Sequence, residues 1–266
     1  MVVIGAGRIG LAVERAADDN GEPCTLLSRD SDWSVLEREA GEPILVATRN
    51  DDLDAVLQRV PKQRHQDLVF IQNGALGPWL EDRSLGACTR GLLFFAVADR
   101  QSDAVPGPEP SPFTGPLALQ TVRWFVRLGL PAQVVDWPRF CAWELEKLCW
   151  NAAFGLLCEV HDCTVGEVCD QHEDDLRALV SDLRRVGRAS TNVDLPQDWL
   201  VERLMAYSRS IPDYRGAVKE WPWRNGWFVR EAVRLGVSTP EHARLLIAAG
   251  HEERLPGFLK PVPELE

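Results

Sequence analysis

The stretch VVIGAGRIG, residues 2–10, constrains this chain more than any other. Three β-branched residues read as a short strand, and Gly5, Gly7 and Gly10 follow with the spacing G-x-G-x-x-G. Each glycine in that spacing meets a different steric demand. The first permits a tight turn, the second lets the backbone approach a pyrophosphate, and the third lets a helix pack on the sheet. Ile9, Leu11 and Ala12 then open an apolar helix face, and CTLLS (24–28) reads as a second strand. Strand, glycine turn and helix in this order predict a Rossmann-type dinucleotide-binding fold. Gly5, Ala6, Gly7, Arg8, Ile9 and Gly10 are its expected cofactor contacts, because amides at a helix N-terminus suit phosphate oxygens.

The pattern continues as α/β. A helix is expected at about 32–39, then the strand PILVATR (43–49), the helix LDAVLQRV (53–60) and the strand DLVFIQNG (67–74). ACTRGLLFFAVADR (87–100) reads as a strand running into a hairpin, and the Pro-rich VPGPEPSPFTGP (105–116) as a loop. The helix ALQTVRWFVRLG (118–129) and the strand AQVV (132–135) close the unit. Only about fifteen residues separate Arg29 from ILVATR, too few for a further βα unit, so a trimmed sheet is expected. From Pro138 the character changes. Apolar residues recur at helical spacing through 140–160, 174–190, 198–209, 223–235 and 240–249. The expected organisation is a dinucleotide-binding domain over 1–137 and an all-α domain over 138–266.

The net charge of −11 argues against nucleic acid or an anionic membrane as partner. Any anionic ligand must then be held by local arginines or backbone amides. No apolar run approaches the ~20 residues that span a bilayer, and a strand at the first residues leaves no room for a signal peptide. Seven cysteines, an odd number, suit a reducing compartment such as the cytoplasm. Cys158, His161, Cys163 and Cys169 lie close in sequence, but no C-x-x-C pair occurs, and they are read as core and loop residues without a metal.

LEKLCWNAAFGLL (145–157) raises a sharper question, because Lys147 and Asn151 share one face of an otherwise apolar helix. Snorkelling to solvent would account for them. The chain as a whole, however, resembles the ketopantoate reductase family of NADP-dependent dehydrogenases. Five segments carry the likeness in order: GAGRIG, IQNG with Asn73, EKLCWN, KEWPWRNG and GVSTPEHARLL. The resemblance implies Lys147 as proton donor to the substrate carbonyl, with Asn151 and Asn73 orienting substrate or ammonium and Glu220 contacting substrate hydroxyls. It also implies a carboxylate-binding serine, for which YSRSIPD offers Ser208 or Ser210, a choice left open. The site would lie between the sheet's C-terminal edge and the helical domain, since Asn73 and Lys147 belong to different halves.

Two arginines bear on the cofactor. Arg29, beside Ser28, ends the second strand where NAD-specific folds place an acid, and an arginine there suits a 2′-phosphate. Arg49 stands where the family has a lysine near the phosphates. The implied activity is NADPH-dependent reduction of a 2-oxoacid, foremost ketopantoate to pantoate on the route to pantothenate and coenzyme A. A related reductase of another 2-oxoacid or an imine, and a non-catalytic NADP(H)-binding regulator, are the alternatives. Gly155 departs from the family's usual second asparagine, Cys158 from a small hydroxyl residue, and Pro222 from an aspartate. The partner is a small molecule, and a homodimer is the candidate assembly.

Overall fold

The computed structural model describes residues 1–37 and 41–256. The end of the helix expected at about 32–39 lies outside the described residues. Its described part is a 3-10 turn, Ser34–Glu37.

Short apolar runs form a seven-stranded sheet. β1 (Val2–Ile4) leads through α1 (Arg8–Asp19) to β2 (Thr25–Leu27), and β3 (Ile44–Val46) leads through α2 (Leu53–Arg59) to β4 (Leu68–Phe70). Every residue of β3 and β4 is buried, as expected of central strands in a parallel sheet. α3 (Gly77–Asp82) joins β4 to β5 (Thr89–Gly91), and β6 (Phe95–Ala96) pairs antiparallel with β7 (Val105–Pro106) in a separate hairpin. β8 (Ser111–Thr114), α4 (Ala118–Arg127) and β9 (Ala132–Val134) complete the set, in the order β2-β1-β3-β4-β5-β8-β9. The pairings from β2 to β5 are parallel, β5 with β8 is antiparallel, and β8 with β9 is parallel. The chain leaves β1 towards β2 on one side and returns to β3 on the other. That reversal makes a topological switch point beside the glycine turn, where ligands of open α/β sheets bind.

The Pro-rich stretch departs from its reading as a loop. Ser111–Thr114 is a fully buried interior strand. Pro112 is tolerated because it lies past the paired residues Arg90 and Gly91 of β5, where its carbonyl accepts from the Leu92 amide at 3.0 Å. Phe113 is fully buried, 5.1 Å from the ring of Phe125 on α4.

The α-helices α5 (Trp137–His161), α6 (Val165–Gln171), α7 (Glu173–Thr191), α8 (Gln197–Ser210), α9 (Asn225–Leu235) and α10 (Pro240–Ala248) follow. α5 buries Leu148, Cys149, Ala152, Ala153, Phe154, Leu156 and Leu157 around most of its girth, the mark of a central helix. α6 is opened by a capping box between Thr164 and Glu167. The chain divides into two compact units, Met1–Phe140 and Cys141–Glu266. Among the described residues no helix is long and apolar enough to cross a membrane.

Candidate active site

In the first unit, the glycine turn has the geometry that its spacing predicts. Gly5 has φ +117°, and a Cβ there would stand 2.8 Å from the Ala47 carbonyl oxygen. A Cβ on Gly10 would stand 1.9 Å from the Gly5 oxygen, so neither position accepts a side chain. At Gly7 the nearest heavy atom to a Cβ would be 4.0 Å away, which leaves that face open. Gly7 is the N-cap of α1 and provides no side-chain cap, so the first-turn amides are donors for an anion. Arg8, the first residue of α1, donates to the carbonyls of Val97 (3.4 Å) and Ala98 (3.1 Å), while Arg100 donates to the Ala6 carbonyl at 3.3 Å. These bonds tie the segment between β6 and β7 to the turn.

At the end of β2, the Ser28 hydroxyl lies 3.0 Å from that of Ser31 and accepts from the Asp30 amide at 3.3 Å. Arg29 and Asp30 are both exposed. Arg59 donates to the Arg29 carbonyl at 2.6 Å and stacks 4.0 Å over the Trp33 ring. This second cation at the same corner was not read from the sequence. Arg49 is exposed just past β3. Asn73 is half-buried just past β4, and its carbonyl accepts from Asn50 Nδ2 at 3.0 Å. Gln72 reaches back to the carbonyls of Val46 (2.8 Å) and Thr48 (3.2 Å), which fixes the ends of β3 and β4 to one another. A dinucleotide fits this set: open glycine backbone, free helix amides and cations at the end of β2.

In the second unit, Lys147 stands on α5 with Asn151 one turn on, and Asn151 Nδ2 donates to the Lys147 carbonyl at 2.8 Å. Lys147 keeps part of its surface accessible, yet protein packs closely round its ammonium. Burial, with the positive charge of Arg224 as a second cause, lowers its pKa from 10.5 to about 7. Glu220 has a left-handed backbone (φ +48°), uncommon for a residue with a Cβ. Its carboxylate accepts from Arg224 Nη2 at 2.5 Å, and the two side chains are 30% and 13% exposed. Arg224 Nε is buried without an acceptor among the described residues.

Asn225 fixes this segment against α5. It is 1% exposed, donates to the Ala152 carbonyl at 3.4 Å, and accepts from His242 Nε2 at 2.8 Å. Burial pushes the His242 pKa from 6.5 down to about 3, so its ring is neutral. Asp182 of α7 accepts from the amides of Glu241 (2.8 Å) and His242 (3.1 Å), capping α10 from another helix. Neither Arg224 nor Asn225 was singled out from the sequence, although both stand inside KEWPWRNG.

The two serines are engaged elsewhere. Ser208 is fully buried, its hydroxyl accepting from Trp150 Nε1 and donating to the Leu204 carbonyl, both at 2.9 Å. Ser210 is exposed and donates to the Tyr207 carbonyl at 2.6 Å. Gly155 has a steric reason: a Cβ there would meet the Ala217 carbonyl oxygen at 2.6 Å. Among the described residues, His161, His172 and Asp175 bring their ligand atoms within 4.8 Å of one another. The two imidazoles stack at 3.6 Å and 7°, and Arg244 holds Asp175 at 2.7 Å.

An α/β unit with a glycine turn at its switch point is followed by a helical unit bearing a lysine beside an arginine. Residues 139–251 match the family model described as ketopantoate reductase PanE/ApbA C terminal. That segment is thus similar to the C-terminal part of the ketopantoate reductase PanE/ApbA family. Solved structures share the fold along nearly their whole length. D-mandelate dehydrogenase, in a ternary structure with NADH and anilino(oxo)acetate, is 13% identical, with a TM-score of 0.75 over 95% of this chain and 98% of that one. A PanE/ApbA family ketopantoate reductase from Ralstonia eutropha JMP134 is 17% identical, with a TM-score of 0.72 over 95% and 100%. A dimeric ketopantoate reductase from Staphylococcus aureus is 16% identical, with a TM-score of 0.70 over 95% and 98%. No curated protein matches by sequence.

Proposed function

We propose that this chain reduces a 2-oxoacid with NADPH, Lys147 being the proton donor, and that ketopantoate is the first substrate to test. The observation that carries the reading is Lys147 itself, an ammonium within the matched family segment whose pKa is lowered to about 7. A group poised near neutrality exists in both protonation states at working pH, which suits general acid catalysis. Gly5, Ala6, Gly7, Arg8, Ile9 and Gly10 hold the cofactor pyrophosphate, Arg29 with Ser28 holds the 2′-phosphate, and Arg49 adds charge. Asn73 stands past a parallel strand's C-terminal end, where it hydrogen-bonds substrate or cofactor. A nicotinamide held there would be the hydride source for the carbonyl carbon. Lys147 stabilises the charge developing on the carbonyl oxygen and delivers its proton there, leaving a 2-hydroxyacid and a neutral amine. Its partial exposure lets solvent return the proton. Asn151 grips the Lys147 carbonyl and fixes that turn of α5.

A second reading, reduction of a different 2-oxoacid, is favoured by the ion pair between Glu220 and Arg224, which engages the carboxylate expected to meet substrate hydroxyls. The D-mandelate dehydrogenase with NADH that shares this fold makes an aryl 2-oxoacid and NADH natural alternatives to test. A homodimer, as for the Staphylococcus aureus relative, is the assembly we expect. The deciding experiment is NADPH and NADH oxidation with a panel of ketopantoate, alkyl and aryl 2-oxoacids and a cyclic imine. Turnover of a 2-oxoacid supports the reading. Tight NADPH binding with no turnover of any member would instead indicate a non-catalytic NADP(H)-binding regulator.

A further inference from the structure

The resemblance assigns the substrate carboxylate to a serine, yet both serine hydroxyls are already committed. Ser208 accepts from Trp150 and donates to Leu204, and Ser210 is exposed and donates to Tyr207. A donor without an acceptor lies instead on Arg224. Its guanidinium is mostly buried and held from one side by Glu220, while Nε is buried with no acceptor among the described residues. A buried donor left unpaired is costly and calls for an explanation. Glu220 holds its side chain through a left-handed backbone conformation that few residues with a Cβ adopt. Asn225 anchors the next residue to the Ala152 carbonyl, one position past Asn151 on α5. The start of α9 is therefore pinned beside the turn of α5 that follows Lys147.

We propose that Arg224 is the residue that binds the substrate carboxylate, and that Glu220 is a positioning residue which holds its guanidinium in place. This rests on the 2-oxoacid reading above. A guanidinium presents a planar fork of N–H donors that matches the two oxygens of a carboxylate. The acid chemistry and the anchoring then belong to two different cations on two different elements.

The test uses Arg224→Gln and Arg224→Lys in the full chain, with circular dichroism to confirm folding. One readout is KM and kcat for the best 2-oxoacid and for its neutral methyl ester. The other is binding of oxamate, an unreactive 2-oxoacid isostere, followed by tryptophan fluorescence with cofactor present. Loss of charge-assisted hydrogen bonds should weaken oxamate binding and raise KM for the acid about 10- to 100-fold in Arg224→Gln. The ester should change little, and Arg224→Lys should fall between. Glu220→Gln should raise KM for the acid in the same direction, more than for the ester. If the acid's KM holds in Arg224→Gln, or rises in Ser208→Ala or Ser210→Ala instead, the assignment is overturned while the reductase reading stands. Should the parent bind oxamate through Arg224 yet reduce no 2-oxoacid, the reductase reading fails and the anion site stands. A parent that does neither overturns both.

Discussion

The proposed reaction turns on the protonation of one lysine. Lys147 can donate only while protonated, and burial with the charge of Arg224 brings its pKa to about 7. The kcat with NADPH should therefore fall as pH rises through about 7, roughly tenfold per unit beyond it, since the protonated fraction falls at that rate. Removing Arg224's charge should move that fall to higher pH, because that charge is one of the causes lowering the pKa. Lys147→Ala should keep NADPH binding and lower kcat by about 10²-fold or more. A pH–rate profile at saturating substrate, flat from about pH 6 to 9, would remove Lys147 from the mechanism. The stability linkage has a definite sign. The folded pKa lies below the unfolded value of 10.5, so the unfolded chain binds more protons in between, and this group's contribution to stability rises with pH from about 7 to 10.5. The spacing of Lys147 and Asn151 was legible in the sequence. Arg224 was not, because its importance depends on the backbone of Glu220 and on the helix against which Asn225 is pinned.

Elements were legible wherever hydrophobic period and turn chemistry agreed, as in β1, α1, β3, α2 and α5. They failed where pairing partners decided the outcome. β8 carries a proline and lies in a segment dense in turn residues, so local preference favoured a loop, and only β5 and β9 on its two sides make it a strand. α6 was missed although its capping box is written in Thr164 and Glu167, because seven residues carry little periodicity. Gly155 illustrates an element-level constraint on a family difference. The segment at Ala217 lies against α5 with its carbonyl oxygen 2.6 Å from where a Cβ would be. Gly155→Asn, which restores the residue usual in the family, should therefore destabilise this chain by about 1–3 kcal/mol, the scale of overpacking. A urea midpoint equal to or above the parent's would show that the segment moves aside at no expense, and that steric exclusion does not explain the glycine.

For the whole molecule the decisive tension is between a net charge of −11 and an anionic cofactor. Long-range repulsion must be overcome by local donors, and the first unit gathers them at the glycine turn and the end of β2. Arg29 is exposed there, with Arg59 bonded to its carbonyl and stacked on Trp33. The sequence disclosed the first of these cations and not the second, which arrives from α2 and belongs to the corner only once β2 and α2 are folded. Asp30, also exposed, is the competing group, since a carboxylate serves a ribose hydroxyl but repels a phosphate. On the proposed NADPH reading, Arg59 adds a second cation to the corner, which favours the phosphate. NADPH should accordingly bind about 10- to 100-fold more tightly than NADH for one charge-assisted bond to the 2′-phosphate. The preference should shrink as salt rises, because exposed charges are screened over about 10 Å at 0.1 M. Thermal-shift titrations read this directly, since a ligand at 100 times its Kd stabilises the folded chain by about 2.7 kcal/mol. In Arg29→Ala the NADPH curve should move towards the NADH curve while the NADH curve stays near its place. A parent chain that prefers NADH, or a ratio unchanged in Arg29→Ala, would transfer the corner to Asp30 and make NADH the cofactor to assign.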